Sequence, residues 1–218
     1  VDVNESAASD AADLSLVADL RSGDSVAKAI SAAVERLGRL DIVVNNAGIG
    51  ATGDVTANDD DEWHRLFDVN VVGIARTSRA ALPHLRRSPN PAIVNVSSVV
   101  AEVGVPDRAL YSATKGAVAA LTRAMAADHV KDGIRVNAVL PGTTDTPWVG
   151  RLMGASADPA GTRSALEARQ PLGRLLTADE IALAICYLAS PTSSGVTGTL
   201  LSIDGGMAGL RLPAKPAS

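Results

Sequence analysis

Tyr111 and Lys115 lie four residues apart in the run Tyr111-Ser112-Ala113-Thr114-Lys115, at the start of a predicted long helix. That spacing puts both side chains on one helical face. A free phenol has a pKa near ~10 and is a poor base at neutral pH. An ammonium one turn away favours the phenolate, so the pair suits proton exchange with a hydroxyl or carbonyl oxygen. A tyrosine and a lysine on an ordinary amphipathic helix satisfy the same spacing. The rest of the chain decides between the two.

The elements that must position this pair alternate along the chain. Residues 14–20 read as a short strand ending in an acid. A helix follows from a cap at Ser22 to Asp24, with Val26, Ile30, Val34 and Leu37 on one stripe and a stop at Gly38. Residues 40–44 form a buried strand that runs into Asn45-Asn46-Ala47-Gly48. A helix is predicted from about 62 to 85, and a strand over 92–96 ends at Ser97-Ser98. The Tyr111 helix runs to about Lys131, where Gly133 stops it. A strand over 134–140 is closed by Pro141-Gly142, and 143–170 is irregular with short helical pieces. Thr177 caps a helix that ends at Ala189, and 198–203 is the last strand.

This rhythm predicts an α/β fold: a doubly wound parallel sheet of the Rossmann type in three αβα layers. Residues 1–209 form one domain and 210–218 a loose tail. Ligands of such sheets bind outside the carboxyl ends of the strands. Asp19, Asn45 to Gly48, Ser98 and Pro141-Gly142 all fall at such ends, so they are expected to share one site.

Composition narrows the partners. The 218 residues are 46% hydrophobic but only 2% aromatic, so Ala, Val, Leu and Ile must build the interior. A net charge of -4 without a basic block argues against a nucleic-acid partner. Cys186 is the single cysteine, which excludes an intrachain disulfide and fits a reducing, cytoplasmic setting. It sits in an apolar helical run, where a buried structural thiol is expected. No secretory leader and no apolar stretch long enough to cross a bilayer is recognisable, and no metal or membrane partner is expected.

Taken together, the motifs resemble the short-chain dehydrogenase/reductase family over nearly the whole chain. Tyr111-x-x-x-Lys115, Ser98 thirteen residues earlier and Asn70 closing Leu66-Phe67-Asp68-Val69-Asn70 match the family's catalytic tetrad. Asn45-Asn46-Ala47-Gly48, Pro141-Gly142 with Thr146, and Asp204-Gly205-Gly206 match further signatures. Each motif is weak alone, whereas their joint order and spacing are specific.

The resemblance implies that Tyr111 exchanges a proton with the substrate oxygen while Ser98 hydrogen-bonds that same oxygen. It implies that Lys115 lowers the Tyr111 pKa and holds the nicotinamide ribose, and that Asn70 keeps a water in line with Lys115. Asn46, Ala47 and Gly48 would frame the adenosine half of the cofactor, and Asp19 and Leu20 would meet the adenine. Pro141, Gly142, Thr144 and Thr146 would meet the nicotinamide, with Thr143 only shaping the turn. The same residue types have plainer uses: a strand-end hydroxyl for Ser98, a buried helix amide for Asn70, a sheet-stabilising turn for Asn45 to Gly48.

The family's Thr-Gly-x-x-x-Gly-x-Gly turn, which brings backbone and a helix N-terminus to the pyrophosphate, is not in this sequence. Val1-Asp2-Val3-Asn4 resembles the end of the family's second strand, so the fold is expected to lack the first strand and helix. On that alignment Asp2 falls where an acid accepts the adenosine ribose hydroxyls and repels a 2′-phosphate, favouring NAD over NADP; a solvated terminal residue is the other reading. Two views of the chain stay open. It is the later part of a longer protein, or a short product with impaired dinucleotide binding that serves as a non-enzymatic or structural subunit.

Three arginines bear on the substrate. Arg108 precedes Tyr111 by three residues, Arg151 follows Thr146-Pro147-Trp148-Val149-Gly150, and Arg169 opens Arg169-Gln170-Pro171-Leu172-Gly173-Arg174. These stretches resemble the branch of the family holding 2-keto-3-deoxy-L-fuconate and cytosolic 3-hydroxybutyrate dehydrogenases. In that branch the matching arginines bind the substrate carboxylate, which a guanidinium fork suits geometrically. Arg151 and Arg169 could instead be solvated or pair with Asp158 or Glu167. Met207 stands where the branch has a Trp after Asp204-Gly205-Gly206. The resemblance thus implies a small hydroxy acid or sugar acid as substrate. It also implies a homotetramer or homodimer joined through the Tyr111 helix and its predecessor, on a face bearing Ala117, Ala120 and Ala124.

Overall fold

The computed structural model describes residues 14–213 apart from 155 and 157, and gives only the backbone at 148, 151 and 152. Four parallel strands lie side by side in chain order: β1 (Ile42–Asn45), β2 (Ala92–Val96), β3 (Arg135–Pro141) and β4 (Leu200–Ile203). Parallel neighbours need crossovers. Those from β1 to β2 use α2 (Asp60–Phe67) and α3 (Gly73–Leu85), and α4 (Ala109–His129) joins β2 to β3. From β3 to β4 run α5 (Pro147–Gly154), α6 (Pro159–Ala168) and α7 (Ala178–Ala189), while α1 (Gly23–Leu37) precedes β1 and packs on α3.

Alternation along each strand sends side chains to opposite faces. Ile93 and Val136 join Ile74, Leu85, Val118 and Met125 of α3 and α4 in one core. Val94, next to Ile93 in the chain, and Val139, three residues after Val136, point the other way and join Ile181 and Leu188 of α7 in the other. Helices therefore cover both faces, as the alternation of β-type and helical runs predicts. Each such fully buried Val, Leu or Ile contributes roughly 2 kcal/mol, and the small aromatic content leaves these aliphatics to supply the core. Register pairs Asn45 with Asn95 and Val96 with Val139, so the carboxyl ends of β1, β2 and β3 open on one edge of the sheet.

The helix ends follow local chemistry. Ser22 caps α1, whose C-cap Gly38 adopts φ 82, and Thr177 with Glu180 forms a capping box on α7. Three elements differ from expectation. Residues 14–20 hold a single bridge at Val17 rather than a strand. The helix expected over 62–85 is broken by a π-helical turn, Asp68–Val72, a feature common at functional sites. Cys186 is exposed rather than buried. Helix α7 is apolar nearly all round, so its periodicity could not tell the core face of Ile181 and Leu188 from the outer face of Leu183, Cys186 and Tyr187.

Among the described residues no helix is long and apolar enough to cross a membrane.

Candidate active site

At the carboxyl edge of the sheet a cleft of about 620 Å³ is lined by Asn46, Gly48, Ser98, Arg108, Tyr111, Lys115, Pro141, Gly142, Thr144, Thr146 and Arg169, among others. Strand ends, turns and the first turns of α4 thus bring together residues spread over more than half the chain.

Helix α4 is fixed against β2 by the Ser97 hydroxyl, which donates to the Lys115 carbonyl (2.8 Å). Lys115 is 6% exposed. Its Nζ donates to the Val96 carbonyl (2.9 Å) and lies 5.6 Å from the centre of the Tyr111 ring. Burial depresses this ammonium from 10.5 to about 8. Burial also pushes the Tyr111 phenol above its ordinary value, opposed by the Ser98 hydroxyl and the Arg108 charge. The net shift of the phenol is upward, where the spacing alone led to an expectation of lowering by Lys115. Desolvation dominates the phenol, and the groups that work against it are Ser98 and Arg108.

Asn70 stands behind the cleft, on the π turn, 2% exposed. Its side chain accepts from Ile49 N (2.8 Å), and its amide donates to Ile49 O (2.9 Å) and Thr114 Oγ1 (3.1 Å). A Cβ placed on Gly48 would lie 3.2 Å from Asn70 Oδ1 and 3.6 Å from Lys115 Nζ. Glycine there keeps the approach to both groups open.

Gly142 is the tightest point of the cleft wall. A Cβ there would lie 2.8 Å from Asp204 Cα and would collide with Gln170 Oε1. Gln170 is the residue that motif reading missed. Fully buried, its amide donates to the carbonyls of Thr143 (3.2 Å) and Arg174 (2.6 Å), pinning the turn after β3. Only its position beside Arg169 marked it in the sequence. Asp204, packed directly against Gly142, accepts from Gly206 N (2.9 Å) and Ala208 N (2.7 Å). The Thr143 carbonyl accepts from Leu176 N and Thr143 also lines the cleft, while Thr146 Oγ1 accepts from Val149 N at the start of α5.

Other expected residues sit elsewhere. Asp19, Leu20 and Ala47 do not line the cleft. Both Asp19 oxygens accept from Arg21, which holds the carboxyl down at about 2. The Leu20 carbonyl accepts from Arg76 (2.9 Å). Asp2 lies outside the described residues, as does the Arg151 side chain.

Arg108 and Arg169 share the cleft, and neither forms a salt bridge among the described residues. The partners proposed for Arg169 are engaged otherwise: Glu167 pairs with Arg163 (2.9 Å), and Asp158 caps α6. Desolvation, followed by the nearby Arg169 charge, lowers the pKa of Arg108.

The parallel sheet, its two helical layers and a cleft at the strand ends define a Rossmann-type α/β fold. A family model described as enoyl-(acyl carrier protein) reductase matches residues 1–208. Cis-4-hydroxycyclohexanecarboxylate dehydrogenase of Sinomonas cyclohexanicum is 42% identical over 194 residues, covering 86% of this chain and 74% of the relative. The 2-keto-3-deoxy-L-fuconate dehydrogenase of Xanthomonas campestris is 41% identical over 182 residues, 83% of this chain and 61% of the relative. Among solved structures, ligand-free aldohexose dehydrogenase of Thermoplasma acidophilum superposes with a TM-score of 0.90 at 32% identity, covering 99% of this chain and 86% of that one. The chain belongs to the short-chain dehydrogenase/reductase family, NAD(P)-dependent enzymes acting on CH–OH groups.

The cleft fits the nicotinamide end of such a cofactor. Of the three Lys115 N–H groups only one has a protein acceptor among the described residues, which leaves donors for ribose hydroxyls. Gly48 adds no side chain in front of them.

Proposed function

We propose that the chain interconverts a secondary alcohol and a ketone on a small hydroxy acid or sugar acid, with NAD as cofactor. The observation that carries the acid is the pair Arg108 and Arg169, which share a cleft with Tyr111 and Ser98 without a carboxylate partner among the described residues. Two unpaired guanidinium groups repel each other and favour an anion between them. Two relatives named for a hydroxy carboxylate and a keto-deoxy sugar acid support the same class. The acid at Asp2 supports NAD over NADP.

When bound, the nicotinamide supplies or accepts the hydride. Tyr111 gives its proton to the carbonyl oxygen as the alcohol forms, and as phenolate takes it back in the other direction. Ser98 holds that oxygen beside the phenol and stabilises the charge that develops on it. Lys115 holds the ribose hydroxyls. Asn70, clamped on Ile49, fixes the wall through which the proton path reaches solvent. The face of α4 with Ala120 and Ala124 exposed joins copies into a dimer or tetramer. Light scattering is expected to give two or four times the chain mass, and a monomer would remove this part of the reading.

The acid is tested with a matched pair, cis-4-hydroxycyclohexanecarboxylate and cyclohexanol, on wild type and Arg108→Ala. Loss of a carboxylate–guanidinium contact is expected to raise KM for the acid about 10- to 100-fold and to leave that for cyclohexanol within about twofold. Because Arg108 opposes the rise in the Tyr111 pKa, the variant's oxidation rate should climb at higher pH than the wild type's. Equal effects on both alcohols would exclude a carboxylate at Arg108.

A further inference from the structure

We propose that Thr52 is a positioning residue that sets the preference for acids by fixing the Arg108 guanidinium. The inference rests on Arg108 being the carboxylate-binding group. Arg108 Nη1 donates to Thr52 Oγ1 (2.6 Å) and to Ala51 O (3.2 Å). Both acceptors lie on the same nitrogen. The Nε/Nη2 edge, the fork that takes a carboxylate through two parallel hydrogen bonds, has no protein acceptor among the described residues.

The backbone reinforces the clamp. Gly53 N donates to Asp107 O (2.9 Å), Ala109 N donates to Gly53 O (3.3 Å), and Gly53 bridges Arg108. Asp107 turns the chain at φ 57, a left-handed conformation that aspartate adopts more readily than most non-glycine residues. The same segment is anchored at Ile49 by both ends of the Asn70 amide. Residues 49–53 therefore tie the π turn carrying Asn70 to the arginine that faces the substrate. Thr52 itself is exposed and does not line the cleft, so it acts through Arg108 alone.

A free arginine has many rotamers, and a ligand that needs the fork in one of them loses affinity by the fraction of time spent elsewhere. The Thr52 hydroxyl removes that loss for carboxylates. A neutral alcohol, which does not use the fork, is unaffected.

The test titrates the NAD-loaded protein calorimetrically with cyclohexanecarboxylate and with cyclohexanol, beside steady-state kinetics on the matched alcohols. Thr52→Val keeps the shape and removes the acceptor. It is expected to weaken cyclohexanecarboxylate binding about 3- to 10-fold, with cyclohexanol binding and kcat within about twofold. Thr52→Ser should restore acid binding to within about twofold of wild type, since the hydroxyl returns. Unchanged acid binding in Thr52→Val, or equal weakening of acid and alcohol, overturns the proposal. Arg108→Ala run alongside separates the two readings. If it weakens only the acid while Thr52→Val does nothing, the clamp is wrong and the carboxylate site stands. If neither variant distinguishes the ligands, both fall.

Discussion

Tyr111→Phe is expected to lower kcat by about three orders of magnitude, the scale on which a positioned proton donor contributes, while leaving the fold in place. Phe keeps the ring beside Lys115 Nζ and removes one oxygen. The phenol is buried and its pKa raised, so at neutral pH it carries its proton and serves carbonyl reduction directly. Alcohol oxidation needs the phenolate, which accumulates only as pH rises toward the raised pKa; wild-type oxidation should therefore climb on the alkaline side while reduction falls. The variant should lose both limbs. Because Tyr111→Phe leaves Lys115, Gly48 and Gly142 untouched, NAD should raise its melting temperature as much as the wild type's in a thermal-shift titration. Turnover within tenfold of wild type would remove Tyr111 from proton transfer.

How much of this was legible in advance divides along a physical line. Features set by chain neighbours were readable: the stop at Gly38, the cap at Thr177, and the placing of Ser98, Asn45 to Gly48 and Pro141-Gly142 at strand ends. Convergence of Asn46, Gly48, Ser98 and Pro141-Gly142 on one cleft followed from the alternation of strands and helices, because parallel strands put like ends on one edge. What depends on distant partners was not readable. The π turn at Asp68–Val72 leaves the apolar pattern of its helix unchanged, and 14–20 has strand composition yet holds a single bridge. Thr52 is 56 residues from the guanidinium that it holds, and nothing in its local sequence marks it. The net upward shift at Tyr111 has the same origin. Spacing fixes which side chains meet, but the sign of a pKa shift depends on how much water remains around them, which only packing determines.

The second large effect concerns that lysine. Lys115→Met is expected to make the protein more stable at pH 7 while reducing activity by about three orders of magnitude. Burial alone lowers the folded-state pKa from 10.5 to about 8, a gap that corresponds to about 3 kcal/mol against the charged form. The sign follows from proton counts: between pH 8 and 10.5 the unfolded chain binds more protons at this group than the folded one, so wild-type stability rises with pH across that window. Below about 8 the cost of the buried ammonium is present in full. Met keeps the unbranched stem and removes the charge, but leaves the Val96 carbonyl without its donor, at a cost of about 1 kcal/mol. The net gain at pH 7 should raise Tm by about 4 to 8 °C and vanish or reverse by pH 10.5, measured by calorimetry at both values. A variant less stable than wild type at pH 7, or stabilised equally at both, would show that the site does not hold this ammonium against a desolvation cost. The expected pattern would identify Lys115 as a charge that the fold tolerates at the expense of stability, in a position where the reaction needs spare N–H donors.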